Sequence, residues 1–226
     1  MEDIEPYWLP RPPLGDRVAE SDLEAAAASV HTADGGWVQP PPGLPVWVFL
    51  DRLVHSFGYL LHGSPGPGIE VFEPRTPVDY SPDDFSKQKA VYAAGDGIWP
   101  IFYAVVSRPQ PGLRFLNSAL QFVRHNGATS GMHYFFSVSP GNAMAPLWRN
   151  GTVYVLPRKG FSRQPRERLG RHVIEEPHWA SPSPVRPLAK VAVVPADFPF
   201  MGKVRKHDAA EVDVKALKDP DGYPWL

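Results

Sequence analysis

Residues 59–64 read YLLHGS and residues 90–105 read AVYAAGDGIWPIFYAV. Each opens on a short apolar run that stops at a glycine. Such a run is long enough for a buried strand and too short for an independent helix. The pattern predicts strands over 58–63 and 90–94, with a Gly95-Asp96-Gly97 turn after the second. The following segment, GIWPIFYAVVS at 97–107, predicts a helix with Pro100 in its first turn, although its apolar run also fits a strand.

Upstream, SDLEAAAASV at 21–30 predicts a helix, with Ser21 as cap and Glu24 completing a capping box. LPVWVFLDRLVHSF at 44–57 predicts a second, started by Pro45, with Val46, Leu50, Leu53, Val54 and Phe57 on one face. IEVFEPR at 69–75 suits a brief strand or turn, and a helical turn is expected after Ser81. Downstream, residues 113–123, 130–140, 151–158 and 184–195 each predict a strand bounded by glycine, asparagine or proline. A short connecting helix is expected over 142–150 and a terminal helix over 207–218. The fold class expected is α+β: a single domain with a split, largely antiparallel sheet and short helices. Residues 1–43 are expected as an N-terminal extension with one helix, lying against the domain through Tyr7 and Trp8, and 44–226 as the domain itself.

The chain has 226 residues, and its 43% hydrophobic content supplies a core of ordinary size. With 28 prolines, long helices and helix bundles are excluded. The absence of cysteine excludes disulfides, thiolate metal sites and a cysteine nucleophile. His125, His133, His172 and His207 show no ligand spacing, so no metal site is expected. GSPGPG at 63–68 lacks the lysine and following helix of a phosphate-binding loop. A net charge of -1 argues against a purely electrostatic nucleic-acid binder. The acidic, proline-rich start MEDIEPYWLPRPP does not read as a secretory signal, and no apolar run is long enough to span a bilayer. A cytoplasmic protein is the resulting expectation.

LLHGS followed by VYAA resembles the ADP-ribosyltransferase superfamily, in the branch that includes the poly(ADP-ribose) polymerases and diphtheria-type toxins. That branch carries His-Gly-Ser or His-Gly-Thr at the end of one strand, a tyrosine-bearing second strand before a short helix, and a glutamate on a third. The resemblance covers roughly residues 58–107; beyond them it rests on strand order. It implies NAD as cofactor and transfer of ADP-ribose to a protein, nucleic acid or small molecule. His62 is then expected to offer an imidazole N–H to a ribose hydroxyl. Gly63 would admit the flat carboxamide to the backbone, and Ser64 would add a hydroxyl. Tyr92 would stack on nicotinamide, with Tyr103 or Phe102 closing the pocket and Arg75 among the cofactor contacts. The reading needs His62 and Tyr92 on opposite walls of one cleft.

The family's third element is a glutamate directly before an aromatic. Here His178 precedes Trp179, with Glu175 and Glu176 just upstream. Glu176 is the expected catalytic carboxylate, which would support the cationic transition state; Glu175 and His178 are the alternatives. If the third element is degenerate, the same fold serves as a non-catalytic NAD or ADP-ribose binding module. The basic stretch 158–171, with Arg158, Lys159, Arg163, Arg166, Arg168 and Arg171, reads either as a phosphate or nucleic-acid grip or as a solvated loop. It also keeps open an RNA 2′-phosphotransferase-like, nucleic-acid-associated protein.

Overall fold

The computed structural model describes residues 6–13, 20–77, 83–108, 112–139 and 145–226. Its first half holds β1 (Leu9–Pro10), α1 (Glu20–Thr32), α2 (Val46–His55), β2 (Leu60–Ser64), β3 (Val91–Ala94), α3 (Trp99–Val105), β4 (Arg114–Val123) and β5 (His133–Ser139). The second half holds β6 (Gly151–Leu156), β7 (Ser162–Arg163), β8 (Glu167–Leu169), β9 (His172–Glu175), β10 (His178–Ser181), β11 (Ala189–Val193), β12 (Arg205–Lys206) and α4 (Ala209–Lys218). This is a mixed α+β architecture built on two sheets of six strands. One runs β11-β6-β2-β3-β10-β7; the other runs β1-β5-β4-β9-β8, with β12 added to β5. Named strand pairs are antiparallel except β12 with β5. No helix among the described residues is long and apolar enough to cross a membrane.

Several expectations change in detail. Ser21 lies inside α1, so it does not cap it. Phe57 falls beyond α2 and is exposed. The strand expected over 184–195 shortens to β11, because Pro184 and Pro187 remove ladder donors. The expected turn after Ser81 begins outside the described residues; the 3₁₀ turn Phe85–Lys87 follows it. The helix expected over 142–150 lies partly outside them, and 145–150 is not helical. The N-terminal segment is integrated into the fold: Leu9 pairs with Tyr134, Trp8 packs with Phe122 and Phe135, and Leu23, Ala27 and Val30 of α1 enter the main core.

Helix α3 lies directly against β2 and β6. A Cβ on Gly63 would sit 1.8 Å from the Pro100 carbonyl oxygen, and one on Gly151 would sit 2.1 Å from that of Ala104. These two glycines set how close the helix comes. Its start is fixed by Asp96, which is fully buried. One carboxylate oxygen of Asp96 accepts from the backbone N–H of Ile98 and Trp99, at 2.9 and 2.7 Å. The other accepts from the Tyr134 hydroxyl at 2.7 Å and from Arg11. Arg11 also pairs with Asp51 of α2 at 2.7 Å. Burial alone would favour discharging Arg11, but Asp96, Tyr134 and Asp51 outweigh it and hold its pKa above the usual range. This cluster ties the N-terminal segment, α2, α3 and β5 together.

Candidate functional site

β9 belongs to one sheet and β10 to the other, and only Glu176 and Pro177 separate them. The chain therefore changes sheets within the segment expected to supply a catalytic carboxylate. α3 starts beside the same junction, because β10 pairs with β3, the strand before that helix.

β2 and β3 share a single register pair, Leu61 with Ala94, whereas β2 pairs with β6 along its whole length. Past that pair the His62 imidazole reaches across, its Nδ1 2.7 Å from the Tyr92 carbonyl oxygen. A carbonyl only accepts, so Nδ1 carries the proton. Neutral His62 therefore presents Nε2 as an acceptor, the reverse of the N–H donation expected from sequence. Burial pushes its pKa down to about 4, the Tyr92 carbonyl partly opposes this, and the Arg108 and Arg75 charges add to the fall. Its ring packs 4.6 Å from Phe72. Strand alternation places His62 with Leu60, on the side of the small core of Leu60, Phe72, Val91 and Tyr154.

Tyr92 is half-buried and turns the other way, with Ala94. Its ring stacks on His178 at 5.0 Å and 26°, and its hydroxyl lies 2.9 Å from the carbonyls of Phe85 and Gln88. His62 and Tyr92 are thus joined through backbone, while their rings lie on opposite faces of the sheet with separate neighbours; they do not line opposite walls of one cleft as expected, because strand alternation turns residues 62 and 92 to different sides. Gly63 faces α3 through its Cα, and Ser64 is buried with its Oγ 3.4 Å from the Gly66 N–H. Phe102 is fully buried among Phe136 and Phe198 and so does not close the site. Tyr103 is half-buried, near Trp99 at 6.3 Å and Phe115 at 5.8 Å. Arg75 is exposed and bridges Ala90 through its backbone.

The third position separates into three roles. Glu175 pairs with Arg163 and Arg166, the latter at 2.8 Å. Glu176 accepts from the Ser118 hydroxyl of β4 at 2.5 Å. His178 opens β10, directly before Trp179, and shares the Tyr92 surface with Phe85 and Trp99, each 5.5 Å from its ring. His178 is fixed by Gln164, a buried residue that sequence reasoning passed over inside a charged stretch. The Gln164 side-chain nitrogen donates to Glu167 at 3.0 Å, so its oxygen accepts from His178 Nδ1 at 2.7 Å. The Gln164 N–H also donates to the His178 carbonyl at 2.9 Å. Burial, with the Asp83 charge adding, pushes Glu167 up to about 7 against the Gln164 hydrogen bond. The basic stretch itself is partly ordered into β7 and β8, and Arg158 lies over the Trp179 ring at 4.3 Å.

Trp99, Phe115 and Arg108 were also missed. Trp99 donates its indole N–H to Asn117 at 2.6 Å, and the Arg108 guanidinium lies 5.0 Å from the Tyr103 ring. Contacts thus run from Tyr92 through His178, Trp99 and Tyr103 to Arg108, around the α3 end of the sheet junction. An open concavity of about 490 Å³ lies elsewhere, lined by Ser139, Lys206, His207 and Asp208 before α4. Among the described residues no cluster of histidine and carboxylates could hold a metal ion.

The pH response of His62 follows from its environment. Below pH 6.5 the unfolded chain protonates this imidazole, whereas the folded chain resists until about pH 4. Its contribution is complete above pH 6.5 and is lost as pH falls through that window, by at most about 3 kcal/mol. Urea unfolding at stepped pH should show a flatter acid slope for His62→Gln than for the wild type. Identical slopes would contradict the burial of a neutral imidazole. The chain matches no protein-family model, no curated protein and no solved structure.

Proposed function

We propose that this chain is an ADP-ribosyltransferase-like nucleotide-binding domain that takes NAD or ADP-ribose beside Tyr92 and leaves the nicotinamide–ribose bond intact. The observation that carries this reading is the stacking of His178 on Tyr92 at the position where the resemblance calls for a glutamate. Cleavage of that bond builds positive charge on the ribose, and a facing carboxylate is the main stabiliser. Glu175 is held by two arginines and Glu176 by Ser118, while Gln164 pins an imidazole in the third position.

The residues present suit binding. Tyr92, Tyr103 and His178 offer half-exposed ring surface. His62 lies behind this surface, on the opposite face of the sheet against Phe72, and is not among its ligand contacts. Asn117, on β4, carries a side-chain amide next to Trp99.

Calorimetric titration with NAD, with free nicotinamide assayed in the same sample, tests the reading. Saturable binding without nicotinamide release is expected, and Tyr92→Ala should weaken it about tenfold through lost ring contact. Absence of binding would remove the reading. Nicotinamide release that disappears in Glu176→Gln would replace it with an active transferase using Glu176. Strongly salt-dependent RNA binding without NAD binding would favour a nucleic-acid-associated role through the basic stretch.

A further inference from the structure

Gln164 lies between β7 and β8 and is almost fully buried. It joins three groups in one line. Its side-chain nitrogen donates to Glu167 Oε1 at 3.0 Å, and its side-chain oxygen lies 2.7 Å from His178 Nδ1. His178 stacks on Tyr92 at 5.0 Å. Backbone bonds hold the line in register: the Gln164 N–H donates to the His178 carbonyl at 2.9 Å, and β7, just before Gln164, pairs with β10. The middle group is an amide, with a donor end and an acceptor end. Turning it over exchanges the two ends and reverses both hydrogen bonds of the line. The shape of the amide does not choose between the two directions; the groups at its ends do.

An ionised carboxylate only accepts. Glu167 in that form holds the Gln164 nitrogen toward itself, which leaves the Gln164 oxygen to receive the Nδ1 proton of His178. The reversed direction would set the amide oxygen against the carboxylate charge. A protonated Glu167 carries an O–H and can donate. The reversed line then becomes available: Glu167 O–H to the Gln164 oxygen, Gln164 N–H to a bare Nδ1, and the imidazole proton on Nε2. One proton is taken up, by Glu167; the imidazole gives Nδ1–H to solvent, gains Nε2–H from it and stays neutral. The surroundings of Glu167 favour such a choice near neutral pH. Burial and the Asp83 charge push its pKa up to about 7, against the Gln164 hydrogen bond. Asp83 is itself held by the Ser86 N–H at 2.7 Å. From β9, the residue paired with Glu167 is the uncharged Ile174, and Glu175 beyond it is engaged by Arg163 and Arg166. Strand alternation turns Arg166 and Arg168 to the other face of β8.

We propose that Glu167 is a positioning residue that acts through Gln164 to set the tautomer of His178, so that its ionisation decides which ring nitrogen of the imidazole on Tyr92 carries the proton. With Glu167 ionised, Nδ1 is protonated and Nε2 offers a lone pair. With Glu167 protonated, Nε2 becomes the donor. Glu167 is ionised above about pH 7 and protonated below it, so the same ring surface has opposite hydrogen-bonding character on the two sides of neutrality. The relay is a property of the free protein and does not depend on nucleotide binding.

NMR of the isotope-labelled full chain tests this, following the ring nitrogens of His178 and the carboxyl carbon of Glu167 between about pH 5 and 8. At the upper end a proton on Nδ1 and a bare Nε2 are expected. As Glu167 takes up its proton, Nδ1–H should give way to Nε2–H, with one midpoint for both residues. Glu167→Gln keeps the size and removes the charge, and should lower the ratio of Nδ1–H to Nε2–H at the upper end about tenfold. Glu167→Asp should recover part of that ratio. A purely structural Glu167 would leave the proton on Nδ1 throughout. The wild-type titration needs no variant and stands if Glu167→Gln fails to fold. The relay is overturned by a His178 tautomer that does not follow Glu167, by a second proton on the imidazole while Glu167 stays ionised, or by an unchanged ratio in Glu167→Gln. None of these readings involves NAD, so failure of the relay and failure of nucleotide binding are told apart.

Discussion

Asp96→Ala is expected to destabilise the fold by about 3–5 kcal/mol, the cost of breaking a buried, hydrogen-bonded ion pair from one side. The carboxylate receives two backbone N–H groups at the start of α3, the Tyr134 hydroxyl and Arg11. Removing it leaves Arg11 with Asp51 as its one remaining carboxylate and strands three further donors in a region without water access. Asp96→Asn should recover part of the loss, because an amide oxygen still accepts from Ile98 and Trp99 while Arg11 faces one carboxylate, Asp51, instead of two. Urea unfolding measures both, and an Arg11–Asp96 double-mutant cycle should return a coupling of about 1 kcal/mol or more. A loss below about 1 kcal/mol for Asp96→Ala would mean that the cluster does not hold α3 in place.

Gly63→Ala should cost about 3 kcal/mol or more, because overpacking here meets backbone rather than a movable side chain. The added carbon would lie 1.8 Å from the Pro100 carbonyl oxygen, 2.8 Å from its carbon and 2.9 Å from the Ala104 nitrogen. α3 would have to lift from β2, carrying Trp99 and Tyr103 with it. Thermal unfolding and tryptophan fluorescence read the shift. If Gly63 serves mainly to admit a ligand to the backbone, Gly63→Ala should instead fold normally and lose only NAD affinity. The two outcomes separate a packing role from a contact role for the same residue.

The elements carrying His62 and Tyr92 were legible because short apolar runs stopped at glycine, and Pro100 marked the first turn of α3. Apolar runs also located β4, β5 and β6 to within a few residues. The segment from β7 to β10 was not legible. Residues 162–175 read SRQPRERLGRHVIE, a charged stretch whose strands have few apolar residues to alternate. Arg163 and Arg166 are spent on Glu175, and the turn between β8 and β9 rests on Gly170 at φ 54°. The switch of sheets at Glu176 and Pro177 has no local signature, so the separation of Glu175, Glu176 and His178 into different environments was invisible. The tautomer of His62 was equally out of reach, since it depends on a carbonyl thirty residues away. Arg108 looks like an ordinary surface cation in sequence; its contacts with the Tyr103 and Phe115 rings are visible only in the fold.

The most direct measurement is a crystal structure of the chain soaked with NAD. The account predicts an intact dinucleotide, with one ring against Tyr92 and His178. Density for ADP-ribose alone, with Glu176 turned from Ser118 toward the ribose, would contradict the claim that this cleft binds without cleaving; so would NAD bound anywhere else on the molecule.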